Sequence, residues 1–271
     1  MNGLVIDRPL SRLPQRPPAS MPMGREHPGL PAEESDRIRA GVWFAGLSEP
    51  LHAAILGHAR VREVQAGALL ARRGDAASQW IGVVRGALRL GMPLADGRNF
   101  TLDFVAPGQW FGDIALIDER PLDLDVSAQA PSTLLVVSKA DLRRLVDGYD
   151  EFGDALLKLN CQRLRHLLRR IEELHTLPLA ERLAREVQRL VRHFGRATPG
   201  GICIDLGLSQ ADLAAMVGAS RQRINQTLRQ MHCRGIVRLG DARLVVLDEA
   251  RLKAVAEGRQ ALADADPSRA R

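Results

Sequence analysis

The sequence is poor in aromatic residues and cysteine and has no long apolar run, and each shortage removes a class of protein. Phe, Trp and Tyr make up 4% of the 271 residues, while hydrophobic residues make up 45%. A core of ordinary size must therefore be built mainly from Leu, Val, Ile and Ala. The three cysteines, Cys161, Cys203 and Cys233, form no CxxC pair. They also lack the spacing of zinc or iron–sulfur ligands and read as buried or incidental thiols in a reducing compartment. No stretch approaches the roughly 18 apolar residues of a membrane span. Arg and Pro stand where a signal peptide needs its apolar segment. The expectation is a cytoplasmic protein with no membrane contact, no metal site and no iron–sulfur cluster.

What is present is positive charge, unevenly placed. Residues 151–271 carry 21 Lys+Arg against 14 Asp+Glu, whereas residues 1–150 carry 17 against 18. A near-neutral front and a basic back fit a sensing module joined to a nucleic-acid-binding module. Arg-rich surface helices that serve only solubility would give the same balance.

Residues 1–35 are rich in Pro and Arg, lack periodicity and read as a disordered leader. Short apolar runs follow, among them Val61–Val64, Trp80–Val84, Ala87–Leu90 and Leu134–Val137. Turn signals separate them at Ala66-Gly67, Gly74-Asp75, Arg85-Gly86, Asp96-Gly97 and Pro107-Gly108. Many short strands so punctuated predict an all-β sandwich or small barrel over about 41–138.

A helix is expected over 146–176, within a helical stretch that begins near Lys139. Leu157, Asn160, Leu164, Leu167, Ile171 and Leu174 recur at alternating spacings of three and four, flanked by Arg163, Arg165, Arg169 and Arg170. Such a stripe must be buried, on its own domain or on a twin helix; its narrowness and charged flanks favour the twin, with Asn160 fixing register. Pro178 then opens an amphipathic helix from Leu179 to Phe194, closed by Gly195, and Gly200-Gly201 makes a loop.

Residues 208–235 carry the clearest functional signal. Ser209 can cap a short helix with Asp212 on its first turn; Leu213, Met216 and Val217 form its inner face and Gly218 ends it. Ser220 caps a second helix with Ile224, Leu228 and Met231 inside. Two short helices joined by a glycine turn are a helix-turn-helix. Arg221, Gln222, Arg223, Asn225, Gln226 and Arg229 lie outside the core stripe, and no Asp or Glu occurs between Leu213 and Arg234. Arg pairs in bidentate fashion with guanine, and Asn or Gln with adenine. Ile236–Leu239 and Leu244–Leu247, around Gly240-Asp241, read as the two strands of a wing. An ordinary helical hairpin would not need an outer face made only of long polar and basic side chains. Double-stranded DNA is the expected partner.

These residues, with Phe111-Gly112-Asp113-Ile114-Ala115-Leu116 upstream, resemble the Crp/Fnr family of bacterial transcription regulators from about Val42 to Leu247. The resemblance implies an α+β chain: a jelly-roll, cyclic-nucleotide-binding-like β-roll over 41–145, a dimerisation helix over 146–176, a winged helix-turn-helix over 177–250 and a tail over 251–271. It implies a homodimer on an inverted repeat, with RNA polymerase as the partner recruited or blocked. By motif position, Arg221, Gln222 and Gln226 would touch bases. Ser209, Gln210, Ser220, Arg223 and Arg229 would touch the backbone.

The expected effector pocket, Phe111, Gly112, Asp113, Leu122 and Asp123, departs from the family. Its cyclic-nucleotide binders carry Phe-Gly-Glu and then an Arg-Ser or Arg-Thr pair for the cyclic phosphate. Here Asp113 replaces the Glu, and Leu122 and Asp123 take the pair's positions; a shift of one residue does not restore the Arg. An anionic phosphate would lose its cation and meet a carboxylate. Leu167-Leu168 stands where cAMP binders offer hydroxyls. The expectation is weak or no cAMP binding, with Arg120 as a possible substitute cation. His52 and His58, expected at the surface, leave haem ligation open, and no other cofactor is evident. The β-roll either takes another small molecule or is an inert scaffold.

Two other functions compete with this reading. A cupin-type enzyme needs His and Glu metal ligands on adjacent strands, but no His occurs between His58 and His166, so no catalytic residue is assigned. A nucleotide-responsive module controlling a protein partner is weakened by the missing phosphate Arg.

Overall fold

The computed structural model describes residues 26–27, 30–94, 99–240 and 243–262. The described residues open with strand β1 (Glu26–His27), helices α1 (Ala32–Arg39) and α2 (Glu49–His58), and strand β2 (Arg60–Val64). Then follow β3 (Leu69–Ala71), β4 (Gln79–Arg85), β5 (Leu88–Pro93), β6 (Asn99–Val105) and β7 (Trp110–Phe111). Helix α3 (Asp113–Ile117), β8 (Asp125–Ala128) and β9 (Ser132–Ser138) complete the β-roll.

Two antiparallel sheets, ordered β1-β2-β9-β4-β7 and β3-β8-β5-β6, face each other. Leu88, Val105, Val126, Leu134 and Val136 are buried in one cluster between them. The four apolar runs noted in the sequence all become strands. The predicted turns at Gly67, Gly74, Gly86 and Gly108 all have φ between 80° and 89°; Asp96-Gly97 lies outside the described residues.

Three features of this half differ from the sequence reading. Strand β1 and the first half of helix α1 fall inside the predicted disordered leader, whose residues 1–25 and 28–29 lie outside the described residues. One apolar anchor, the buried Ile38, secures α1, and its ends carry Glu33 and Glu34 against Arg37 and Arg39, matching the helix dipole. A single anchor leaves no periodicity to detect.

The scarce aromatics are also concentrated. Trp80 and Trp110 stack with centroids 4.0 Å apart, and Trp43, Phe44 and Phe152 close around them. A second core, around these rings, joins α1, α2 and the β-roll to the helices that follow. His52 belongs to it. It is buried, stacks on Phe44 at 4.6 Å, and bonds through its ring nitrogens to the Phe44 carbonyl and to Glu49. It is therefore a core histidine, whereas His58 is exposed beside Asp141 at 3.2 Å.

Helix α4 (Lys139–Gly148) leads into the long α5 (Asp150–Thr176). Phe152, Leu156 and Leu159 are buried against the chain, while Leu157, Leu164, Leu167, Leu168, Ile171 and Leu174 stay exposed. Asn160 leaves the expected seam. Helix α3 reaches over that turn of α5, and Asn160 donates from Nδ2 to Asp113 at 2.9 Å and to the Leu156 carbonyl at 3.0 Å.

The remainder is α6 (Leu179–Phe194), β10 (Gly195–Thr198), β11 (Gly201–Ile204), α7 (Gln210–Val217) and α8 (Arg221–Cys233). Strands β12 (Val237–Gly240) and β13 (Arg243–Val246) and helix α9 (Glu249–Ala256) end it. The stretch expected as a loop at Gly200-Gly201 is the turn and first strand residue of a hairpin, paired from Gly195↔Ile204 to Thr198↔Gly201. The expected tail also gives way to structure at its start. Asp248 caps α9 by accepting from the Arg251 amide at 2.9 Å, and Leu252, Val255 and Ala256 enter the winged-helix core. Residues 263–271 lie outside the described residues.

Candidate nucleic-acid interface

The helix-turn-helix is set by its caps. Ser209 accepts from the Asp212 amide at 3.1 Å, and the Asp212 carboxylate accepts from the Ser209 amide at 2.9 Å, a reciprocal box that starts α7. Gly218 ends the helix with φ 64°, the left-handed conformation that favours glycine. A Cβ there would lie 2.9 Å from the end of the exposed Leu174 side chain of α5, which would have to turn aside. Ser220 caps α8 by accepting from the Arg223 amide at 3.3 Å.

Helix α8 buries Ile224, Thr227, Leu228 and Met231 and exposes Arg221, Gln222, Arg223, Gln226 and Arg229. At about 100° per residue, Arg221, Gln222, Asn225, Gln226 and Arg229 share an arc of roughly 140° opposite that core. Arg223 lies about 60° beyond the arc. The structure thus brings the three expected base readers to one face. Two side chains are partly committed: Asn225 is half-buried and donates from Nδ2 to Oε1 of Gln210 at 3.1 Å. Gln210 takes part through its Oε1, and Ser209 is exposed beside it.

The sequence reading missed the basic residues of the neighbouring hairpins. Arg238 on β12 and Arg243 on β13 are exposed, and Arg196 on β10 joins Arg243 around Asp205 at 3.8 and 3.9 Å. Their signal was present as strand alternation, with Arg238 between the inward Val237 and the half-buried Leu239. Asp241, expected in the wing turn, and Ala242 lie outside the described residues.

The expected effector pocket is differently arranged. Gly112 has φ 102°, and a Cβ there would sit 2.7 Å from the Gln79 carbonyl. Asp113 is fully buried, yet it points at α5: Arg163 Nη1 donates to both of its carboxylate oxygens at 2.8 Å, and Asn160 donates at 2.9 Å. Arg163 also donates to the Trp110 carbonyl. Phe111 packs on the β-roll core. Leu122 is buried, its amide donating to the Asp75 carbonyl at 2.9 Å, while Asp123 and Arg120 are exposed. Asp113 is therefore joined to the long helix rather than to Asp123. Among the described residues no group of three His, Cys, Asp or Glu is placed to hold a metal ion, and no helix is long and apolar enough to cross a membrane.

Comparison with known proteins places these parts. Residues 61–149 match the cyclic nucleotide-binding domain family, and residues 181–255 match the Crp-like helix-turn-helix domain family. The chain is 24% identical over 214 residues to a CRP-like cAMP-activated global transcriptional regulator of Mycobacterium tuberculosis, covering 79% of this chain and 95% of that one. It is 27% identical over 241 residues to the HTH-type transcriptional regulator Cmr of the same species, covering 84% and 93%. Among solved structures, FixK2 from Bradyrhizobium japonicum superposes with a TM-score of 0.64 at 23% identity, covering 73% of this chain and 96% of that one.

Proposed function

Because the chain belongs to the Crp/Fnr family of transcription regulators, we propose that it acts as a homodimer reading an inverted-repeat operator through two copies of α8. The observation that carries this reading is the free face of α8. It holds only long polar and basic side chains, all turned away from the core, and no carboxylate. Arg221, Gln222 and Gln226 are assigned to base edges, and Ser209, Gln210, Ser220, Arg223 and Arg229 to phosphates. The exposed stripe of Leu157, Leu164, Leu167, Leu168 and Ile171 supports the dimer, since a second α5 would cover it. A two-fold pair of reading helices calls for two-fold related half-sites about one helical turn apart. RNA polymerase as the partner and the cytoplasm as the compartment are assigned here by analogy with the family.

The M. tuberculosis relative is named as cAMP-activated; for this chain we assign an effector other than cAMP, or none. Two features support that assignment: by motif position Leu122 replaces the family's phosphate-binding Arg, and Asp113 is engaged by Arg163. No cofactor is assigned, because His52 is committed to Phe44 and Glu49.

Genome-wide recovery of DNA fragments bound by the full chain tests the reading. A shared inverted repeat is the expected result, and fragments with no common two-fold motif would sink it.

A further inference from the structure

The winged helix is tied to the β-roll through contacts that involve none of the assigned base readers. Buried Thr101 on β6 donates from Oγ1 to Asp212 Oδ1 on α7 at 2.7 Å. The other oxygen of that carboxylate is the one that caps α7. Gln129, in the turn between β8 and β9, donates to the carbonyl of Gly207, two residues before the cap. Phe104 of β6 enters the winged-helix core and meets Phe194 edge-on at 6.4 Å. Asp103 accepts from Arg170 of α5 at 3.1 Å, and Arg170 also reaches the Met216 carbonyl at 3.3 Å and Glu186 of α6 at 3.6 Å.

The covalent link between α5 and the winged helix is far slighter. It consists of Leu177 and Pro178, both extended, with ψ of 146° and 153°. Proline fixes one dihedral there, and the others remain soft. Apolar packing alone is non-directional and tolerates sliding. Hydrogen bonds are directional, and a buried oxygen that loses its donor is costly.

We propose that Thr101 and Gln129 are positioning residues that hold the reading head at one angle to the β-roll, and so set the half-site spacing the dimer accepts. The inference rests on the dimeric reading above. In a two-fold dimer the separation of the two α8 helices is defined only if each winged helix is fixed to its own body. A head free to swing would meet half-sites at several spacings with similar affinity. The contacts leave Arg221, Gln222 and Gln226 exposed, so loosening them alters geometry without altering what each helix reads.

The test measures binding of the full chain to its operator with one to five base pairs inserted between half-sites. A five-base-pair insertion turns one half-site to the opposite side of the duplex, and the native chain is expected to lose about 100-fold in affinity. Thr101→Val and Gln129→Ala are each expected to reduce that penalty to about 10-fold or less, with affinity for an isolated half-site unchanged. An unchanged penalty in folded variants overturns the inference. Should Thr101→Val fail to fold, Gln129→Ala, at a surface turn, decides alone. A native chain indifferent to spacing would instead overturn the dimeric reading, and the inference with it.

Discussion

Arg163 of α5 holds both carboxylate oxygens of Asp113 at 2.8 Å, joining the long helix to the first turn of α3. The acid is fully buried, so its charge is balanced by this cation and by Asn160. Removing one partner of a buried pair leaves the other unbalanced, whereas removing both is far less costly. Arg163→Met is therefore expected to lower stability by roughly 3–5 kcal/mol. The double variant Asp113→Asn with Arg163→Met should recover most of that loss. Denaturant unfolding of the two proteins checks this, and a double variant as unstable as the single one would contradict it.

The same pair bears on cAMP. A ligand present at 100 times its dissociation constant stabilises its protein by about 2.7 kcal/mol. With Asp113 engaged and Leu122 in place of a cation, millimolar cAMP is expected to leave the melting temperature unmoved. A clear upward shift would mean that Arg120, or another cation, supplies the missing charge.

Gly218 joins two constraints at one residue, a left-handed backbone and a 2.9 Å approach to Leu174. Gly218→Ala adds a Cβ that the conformation disfavours by roughly 1–2 kcal/mol. The exposed Leu174 side chain can turn aside, so the backbone carries the cost, and the variant should melt earlier and bind DNA less well at any temperature near the transition. Calorimetry of the variant measures the loss directly. A melting point equal to that of the native chain would show that the turn can relax.

The helix-turn-helix was legible because its signals are local. Ser209, Gly218 and Ser220 mark boundaries through partners within four residues. Asn160 was misleading because its spacing from Leu157 and Leu164 fits a seam, while its partner Asp113 lies 47 residues earlier. His52 was misplaced for the same kind of reason: the sequence has few aromatics, and only folding brings five of their rings together beside it. The basic residues of the wing and the β10–β11 hairpin were hidden by strand alternation too short to stand out. The link from Thr101 to Asp212 spans 111 residues, and no pattern in either segment announces it.

Acid should destabilise the fold through two histidines. Burial holds His166 below the ordinary range, with Arg170, Arg189 and Arg169 adding to the effect and Asp103 opposing it. Burial and Arg192 do the same for His193, again against Asp103. With a folded pKa below the unfolded value of about 6.5, each takes up its proton more readily in the unfolded chain. Their stabilising share is complete above that pH and is lost as pH falls through it towards the folded values. Glu186 has the opposite sign. Burial raises it despite Arg170 and Arg189, so it favours the folded state at low pH and loses that share as pH rises. Replacing His166 and His193 together by Gln should flatten the fall in melting temperature between pH 7 and pH 5. An unaltered slope would assign the acid sensitivity elsewhere.

Base reading and phosphate binding separate by their response to sequence and salt. Arg221 is exposed on the first turn of α8, where a recognition helix meets base edges. Arg221→Ala is expected to remove about 1–3 kcal/mol of discrimination at one position in each half-site and to leave the remaining preferences intact. Arg229 lies two turns further on and is assigned to the backbone. Arg229→Ala should weaken operator and random duplex alike and reduce the salt dependence, because one fewer counterion is released per site. A binding-site selection for each variant, paired with titrations at two salt concentrations, tells these outcomes apart. If Arg229→Ala changed the selected sequence while Arg221→Ala only shifted the salt slope, the two assignments would have to be exchanged and α8 rotated in the groove. If neither variant changed operator affinity, α8 would not be the reading helix.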